Sequence, residues 1–191
     1  EASKYLNFPV VSGNVSFYNE TKSKSIFPTP VIGGIGIIDN LKRIVNIKTK
    51  KTGNIILIIG KTHGHLDQSA FLQENYSIYE GPPPEINLVN EKNNGLAVLK
   101  LIKENFVLSS HDISTGGILV SLAEMSISSG LGLKINKPKK LANSYEYFFG
   151  EDQGRYLIEI SKNNLKKTET ILKESNVFFE TVAEVQNDTF E

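Results

Sequence analysis

Cysteine is absent from this 191-residue chain, which excludes a disulfide framework and any Cys-based metal site. Neither sign of charge is in surplus: 21 basic residues meet 21 acidic ones, for a formal net charge of zero. A nucleic-acid polymer calls for a basic face, so it is not expected as a partner. The lysine clusters (Lys48, Lys50, Lys51; Lys137, Lys139, Lys140; Lys166, Lys167) sit among Asn, Thr and Ser and read as solvated surface. No apolar run approaches the roughly 20 residues of a membrane span, so no membrane partner is expected either. No secretory signal opens the chain, and the expected location is cytoplasmic. Asn19-Glu20-Thr21 has the form of a glycosylation acceptor, which means nothing without secretion. No internal repeat is visible.

Apolar residues make up 39% of the chain, with ten Phe and seven Tyr, enough for a real core. The length suits one domain, or one domain plus part of another. The first residue is Glu1 rather than Met, inside what reads as a helix end feeding a strand. The chain is therefore expected to be a fragment of a longer polypeptide. Composition shifts around residues 40–54, which predicts a boundary near residue 45 and two parts, 1–45 and 46–191. The first part shows two strand-like runs, Phe8 to Phe17 and Val31 to Ile38, and two strands cannot bury a core by themselves. Residues 40–53 read as a connector with a short edge strand or helical turn.

The second part has the pattern of a self-contained unit. Ile55 to Ile59 is a continuous apolar run bounded by Gly53 and Gly60, as in a buried strand. A polar loop follows over residues 60–72. Apolar spacing predicts a helix over Ile86 to Asn105, a strand over Phe106 to Ser110 and a helix over Gly116 to Ser129. Strands are expected at Leu131 to Ile135, Arg155 to Ile160 and Val177 to Val185, with an amphipathic helix over Lys162 to Ser175.

The most informative stretch is PVVSGNVSFYNET, Pro9 to Thr21. An extended apolar run breaks into Ser12-Gly13-Asn14, then resumes alternation through Val15, Phe17 and Asn19. Strands are interrupted this way where backbone bends or something approaches closely. Gly13 admits a phosphate or another backbone, while Asn14 and Ser16 place oxygens on one side. Such oxygens are hard ligands of the kind Mg²⁺ accepts beside substrate phosphates. The competing reading is a β-bulge with a polar turn.

Three further groups carry possible chemistry. His111-Asp112-Ile113-Ser114-Thr115-Gly116-Gly117 leads from a strand into a helix, which Ser114 or Thr115 can cap. A helix N-terminus offers N–H groups to an anion, with Asp112 as a ligand and His111 as polar support. Alternatively this is a capped turn whose Asp112 bonds backbone amides. Glu151-Asp152-Gln153-Gly154-Arg155 reads as a holder of ribose, phosphate or a partner domain, or as an internal ion-pair loop. His63-Gly64-His65 lacks the further His or Cys that a closed metal site needs, and reads as a pair of surface or supporting histidines.

Together with PTPVIGGIGIID (Pro28 to Asp39), HDISTGGILVSLAEM (His111 to Met125) and FFGEDQGRY (Phe148 to Tyr156), PVVSGNVSFYNET resembles the phosphoribosylformylglycinamidine synthase family. The resemblance is to the second half of its small bacterial form, which works with separate glutaminase and accessory subunits, and it covers nearly all of the chain. The His-Asp motif alone indicates only the wider superfamily of aminoimidazole ribonucleotide synthetase-like ATP enzymes. The Gly13-Asn14-Ser16 strand narrows it to the synthase.

The resemblance implies an α+β fold: a mixed β-sheet packed with helices, like the C-terminal domain of aminoimidazole ribonucleotide synthetase. Two strands left from an N-terminal-type, ATP-binding domain would precede it. It implies ATP-dependent amidation of formylglycinamide ribonucleotide with glutamine-derived ammonia, in de novo purine synthesis. Mg²⁺ is then the cofactor and ATP the cosubstrate, with the ribonucleotide substrate and the two subunits as partners. The residues carried over are Gly13 for ATP, Asn14 for the metal and Ser16 for the substrate. No catalytic residue is assigned, because in the family the catalytic histidines and most metal carboxylates lie in the N-terminal portion. His111, Asp112, Glu151, Gln153 and Arg155 correspond to a structural or vestigial site, since the second-half pocket is not the reacting one. Family members usually have Asp where Thr115 stands, which weakens a metal role there. The alternatives are a non-catalytic scaffold domain for the partner subunits, and aminoimidazole ribonucleotide synthetase itself. The fragment is expected to be inactive alone and to self-associate through residues 8–38.

Overall fold

Residues 8–38 hold many of the chain's most exposed apolar side chains. Val11, Phe17, Val31, Ile35 and Ile37 are each more than 90% exposed in the computed structural model, which describes residues 1–26, 29–136, 138 and 143–191. Pro28, which opens the second motif, and the cluster Lys137, Lys139 and Lys140 lie outside the described residues. The chain divides into two units, Glu1–Lys42 and Arg43–Glu191.

The first unit opens with a single helical turn, α1 (Ala2–Tyr5). Among its described residues the one ladder is a two-residue hairpin, β1 (Glu20–Thr21) with β2 (Lys24–Ser25), turning through Lys22 and Ser23 at φ 52° and 60°. The strands expected over residues 8–17 and 31–38 are not formed: no described residue there belongs to a ladder. A strand needs a partner backbone and a face to bury. Within this unit neither run has either.

The second unit is organised by β3 (Ile55–Ile59), all five residues of which are buried. Ile55, Leu57 and Ile59 face one core, and Ile56 and Ile58 face the other. A strand covered on both faces has no need to alternate, which is why its sequence is a continuous apolar run. After it come α2 (Ala70–Tyr76), α3 (Leu88–Lys103), β4 (Val107–Asp112), α4 (Gly117–Ser129) and β5 (Gly132–Ile135). Then follow α5 (Ser144–Phe149), β6 (Tyr156–Ile160), a 3₁₀ turn at Lys162–Asn164, α6 (Leu165–Glu174) and β7 (Phe179–Gln186). Another 3₁₀ turn, Leu41–Arg43, occupies the connector.

The five-stranded sheet runs β4-β6-β3-β7-β5 and is antiparallel in every ladder. Among the described residues, parallel pairing is confined to one bridge, Leu133 with Phe190. Helices α3 and α6 cover one face through Ala97, Val98, Leu101 and Leu172. Helix α4 covers the other through Ile118, Leu122 and Met125. The expected α+β class, a sheet packed with helices, is what is found. Both edges are occupied. Glu191 exchanges backbone hydrogen bonds with Ile135 and Leu133 outside β5, and Ser110 in β4 donates to the carbonyl of Asn46.

Candidate functional site

In the first unit, Asn14 and Ser16 line a cavity of about 860 Å³ together with Asn19, Glu20 and Thr29. The Asn19 side chain donates to the Ser16 carbonyl at 2.8 Å, which fixes the turn between them. Gly13 is next in sequence but not among the lining residues, and a Cβ there would meet nothing within 4 Å. With no ladder around it, this segment is not a β-bulge. The oxygens of Asn14, Ser16 and Glu20 suit Mg²⁺ in kind. A full ligand set is another matter: among the described residues no group of three or more His, Asp or Glu is placed to hold a metal.

In the second unit, the loop between α5 and β6 draws three other segments together. Glu151 Oε1 accepts from the Gly116 N–H that precedes α4 and from the Ala70 N–H that opens α2, both at 2.8 Å. Asp152 accepts from the N–H groups of His63 and Gly64 on Oδ2, both at 2.9 Å, and of His65 on Oδ1 at 3.1 Å. Behind it lies Arg155, which is 1% exposed. Its guanidinium donates to the carbonyls of Gly150 (2.6 Å) and Asp152 (3.0 Å) and to Thr62 Oγ1 (3.1 Å). It also lies 3.7 Å from Asp152 Oδ2. Burial lowers the Arg155 pKa, against the opposing pull of Asp152, yet an arginine so surrounded stays charged. Every polar group of Glu151, Asp152 and Arg155 named here is thus turned inward onto the chain.

The helix that follows β4 does not start as the sequence suggested. Neither Ser114 nor Thr115 caps α4; its N-cap is Gly116, without a side-chain bond, and the carboxylate of Glu151 serves it from a distant loop. The reason is steric. Gly117 has φ 69°, and a Cβ there would stand 2.8 Å from the carbonyl oxygens of Phe148 and Gly150. So tight an approach between α4 and the end of α5 brings Glu151 to the helix start. Asp112, at the end of β4, is 68% exposed at its side chain, and among the described residues no backbone amide donates to its carboxylate. Its carboxylate lies 3.3 Å from His111 Nδ1, and His111 Nε2 is 2.9 Å from Glu124 of α4.

A second cavity, of about 750 Å³, opens beside this loop and is lined by His63, His65, Asp67, Glu91, Asn94 and Gln153, among others. His65 Nε2 is tied to the Pro82 carbonyl at 3.0 Å. Burial raises the Glu91 carboxyl pKa. Burial also raises the Tyr156 phenol, with the charges of Glu91 and Asp112 adding to it. His111 and Asp112 are not among the cavity's lining residues; Gln153 is.

Two features escaped sequence reasoning. Glu159, the penultimate residue of β6, is fully buried, with its carboxylate taking the N–H groups of Lys50 and Lys51, the Asn54 amide and the Ser109 hydroxyl. A charged residue inside the apolar run Tyr156–Ile160 was the available signal. The other is Tyr147, whose hydroxyl donates to Glu180 at 2.6 Å.

Residues 51–191 match the family described as AIR synthase related protein, C-terminal domain. Phosphoribosylformylglycinamidine synthase subunit PurL of Pelagibacter ubique is 53% identical over 188 residues, 98% of this chain and 26% of that protein. The subunit of the same name from Bartonella bacilliformis is 41% identical over 191 residues, 100% of this chain and 26% of that one. This chain therefore spans about a quarter of the length of these curated relatives. Among solved structures, T. maritima PurL complexed with FGAR superposes with a TM-score of 0.63 at 22% identity, over 77% of this chain and 26% of that one. At that identity the likeness concerns the fold alone. T. maritima PurL has also been solved complexed with ATP and in PurLQS.

Proposed function

The chain belongs to the AIR synthase related protein family, and on that premise we propose that it is part of a phosphoribosylformylglycinamidine synthase of the PurL kind. The observation that carries this reading is the 53% identity to a PurL subunit along 98% of the chain. The parent protein would convert formylglycinamide ribonucleotide to its amidine. ATP phosphorylates the amide oxygen, ammonia adds at the same carbon, and phosphate leaves with that oxygen. Mg²⁺ would neutralise and orient the triphosphate. Purine synthesis of this kind places the protein in the cytoplasm, with a glutaminase subunit to supply ammonia and a small accessory subunit; a PurLQS assembly of a relative supports such partners.

Residues 1–45 are then what this chain holds of an ATP-binding, N-terminal-type domain, and 46–191 form the C-terminal-type domain. Gly13 would lie against ATP, Asn14 would contribute an oxygen to the metal, and Ser16 would meet the ribonucleotide. That Asn14 and Ser16 line one cavity with Glu20 supports their acting together. His111, Asp112, Glu151, Gln153 and Arg155 have a structural or vestigial role in this reading. The inward bonding of Glu151 and Arg155 supports it.

A second reading takes this chain by itself as a scaffold for the partner subunits. The same inward bonding favours it for residues 46–191. Activity assays on the full-length parent and on these 191 residues test the proposal. Phosphate release dependent on the ribonucleotide, ATP and ammonia is expected from the parent and not from the 191 residues, which lack the general acid–base groups. An inactive parent, or an active fragment, overturns it. Nucleotide titration of the fragment separates wall from scaffold, since only a wall that still reads phosphate binds.

A further inference from the structure

Backbone N–H groups at helix starts and in tight loops are natural receivers of anions. Five of them, from three separate segments, converge on the adjacent carboxylates Glu151 and Asp152. Asp152 is 6% exposed and is backed by the guanidinium of Arg155, itself held by three oxygens, so its charge is anchored in place.

We infer that Glu151 and Asp152 are resident anions, filling these N–H clusters from within the chain and closing them to phosphate and carboxylate ligands. A phosphate brought to the same N–H groups would meet a carboxylate oxygen at contact distance, with like charge and no donor left to share. The effect reaches the cavity beside this loop, because Asp152 and the three residues it holds, His63, Gly64 and His65, form part of its wall. A ligand approaching that wall finds an acceptor where a helix-and-loop site would ordinarily present donors. The start of α4 has the backbone of an anion site, and the chain supplies its own anion. The inference concerns residues 43–191 only and stands whatever residues 8–38 bind.

The test is titration of the isotope-labelled 191-residue chain with inorganic phosphate at constant ionic strength. Amide resonances of His63, Gly64, His65, Ala70 and Gly116 are followed, with thermal midpoints in phosphate and in chloride alongside. For the unmodified chain no saturable shift is expected at these amides. For Asp152→Ala and Glu151→Ala, the vacated amides should respond, apparent phosphate affinity should rise about tenfold or more, and phosphate should raise the midpoint above chloride. Saturable phosphate binding at these amides in the unmodified chain overturns the inference, as does a folded alanine variant with no gain. If the alanine variants do not fold, Glu151→Ser and Asp152→Gly, which also vacate the amides, are read the same way. A phosphate-specific gain supports the inference, and parity with the unmodified chain overturns it.

Discussion

Replacing Glu159 by alanine should be among the most damaging single changes in the second unit. Its carboxylate is 0% exposed and accepts from Lys50 N–H at 3.0 and 2.9 Å, the Asn54 amide at 2.7 Å and the Ser109 hydroxyl at 2.8 Å. Asn54 and Ser109 are themselves buried, so both lose a partner with no water to replace it. An orphaned buried donor costs about 1–3 kcal/mol. Lys50 is exposed and its N–H can turn to solvent, but the vacated side-chain volume adds a cavity term. The sum is about 3–5 kcal/mol, or a drop in thermal midpoint of roughly 6–20 °C for a domain of this size. Glu159→Gln keeps the length and one acceptor oxygen, and its amide can donate to the Ser109 hydroxyl, so it should cost only about 1–2 kcal/mol. Urea unfolding followed by circular dichroism measures both, with the dependence on urea unchanged if the native fold persists. An alanine variant costing less than about 1 kcal/mol, or equal costs for the two variants, would refute the reasoning.

Alkaline pH should destabilise the second unit through Tyr147, whose phenol pKa is raised by burial first and then by its bond to Glu180. The fold keeps a proton that the unfolded chain loses, so this stability is full below pH about 10 and declines as pH rises beyond it. Tyr147→Phe should flatten that slope in urea midpoints taken across this range, and an unchanged slope would count against it. In the full-length parent, Asn14→Ala should weaken Mg·ATP use while changing stability by less than about 0.5 kcal/mol, since the side chain is exposed. A large thermal loss with unaltered ATP dependence would show a structural role instead. Light scattering should find the whole chain self-associated through the exposed apolar residues of 8–38, and a version starting at Arg43 monomeric. If both are monomeric, the apolar exposure does not drive association.

The second unit was legible where side chains report their own burial. The run Ile55–Ile59 announced a strand covered on both faces, and the apolar spacing of residues 86–105 announced a helix there, though Leu96 and Leu99 face out and Ala97, Val98 and Leu101 are the buried apolar residues of α3. The short helices α2 and α5 were not predicted, because seven and six residues are too few to display a period. The first unit misled for a different reason. Alternation at Val15 and Phe17 marks a capacity to pair, and pairing also needs a neighbouring strand, which the described residues of 1–42 do not set beside it. At the candidate sites, motif positions could be read but bonding partners could not. Nothing local tells that Glu151 serves Gly116, 35 positions away, rather than a ligand.

The central place of β3 has a consequence for how the chain is made. It is the first strand of the five to leave the ribosome, yet its two neighbours, β6 and β7, are the fourth and fifth. Roughly 100 residues separate it from the start of β6, which at about 5–20 residues per second is a delay of some 5–20 seconds. Throughout that interval five uncharged residues of high β-propensity, Ile-Ile-Leu-Ile-Ile, wait with both edges unpaired. Nascent chains on neighbouring ribosomes present the same segment at the same time. Yield of the native protein should therefore be governed by chaperone supply and translation rate more than by the stability of the finished fold.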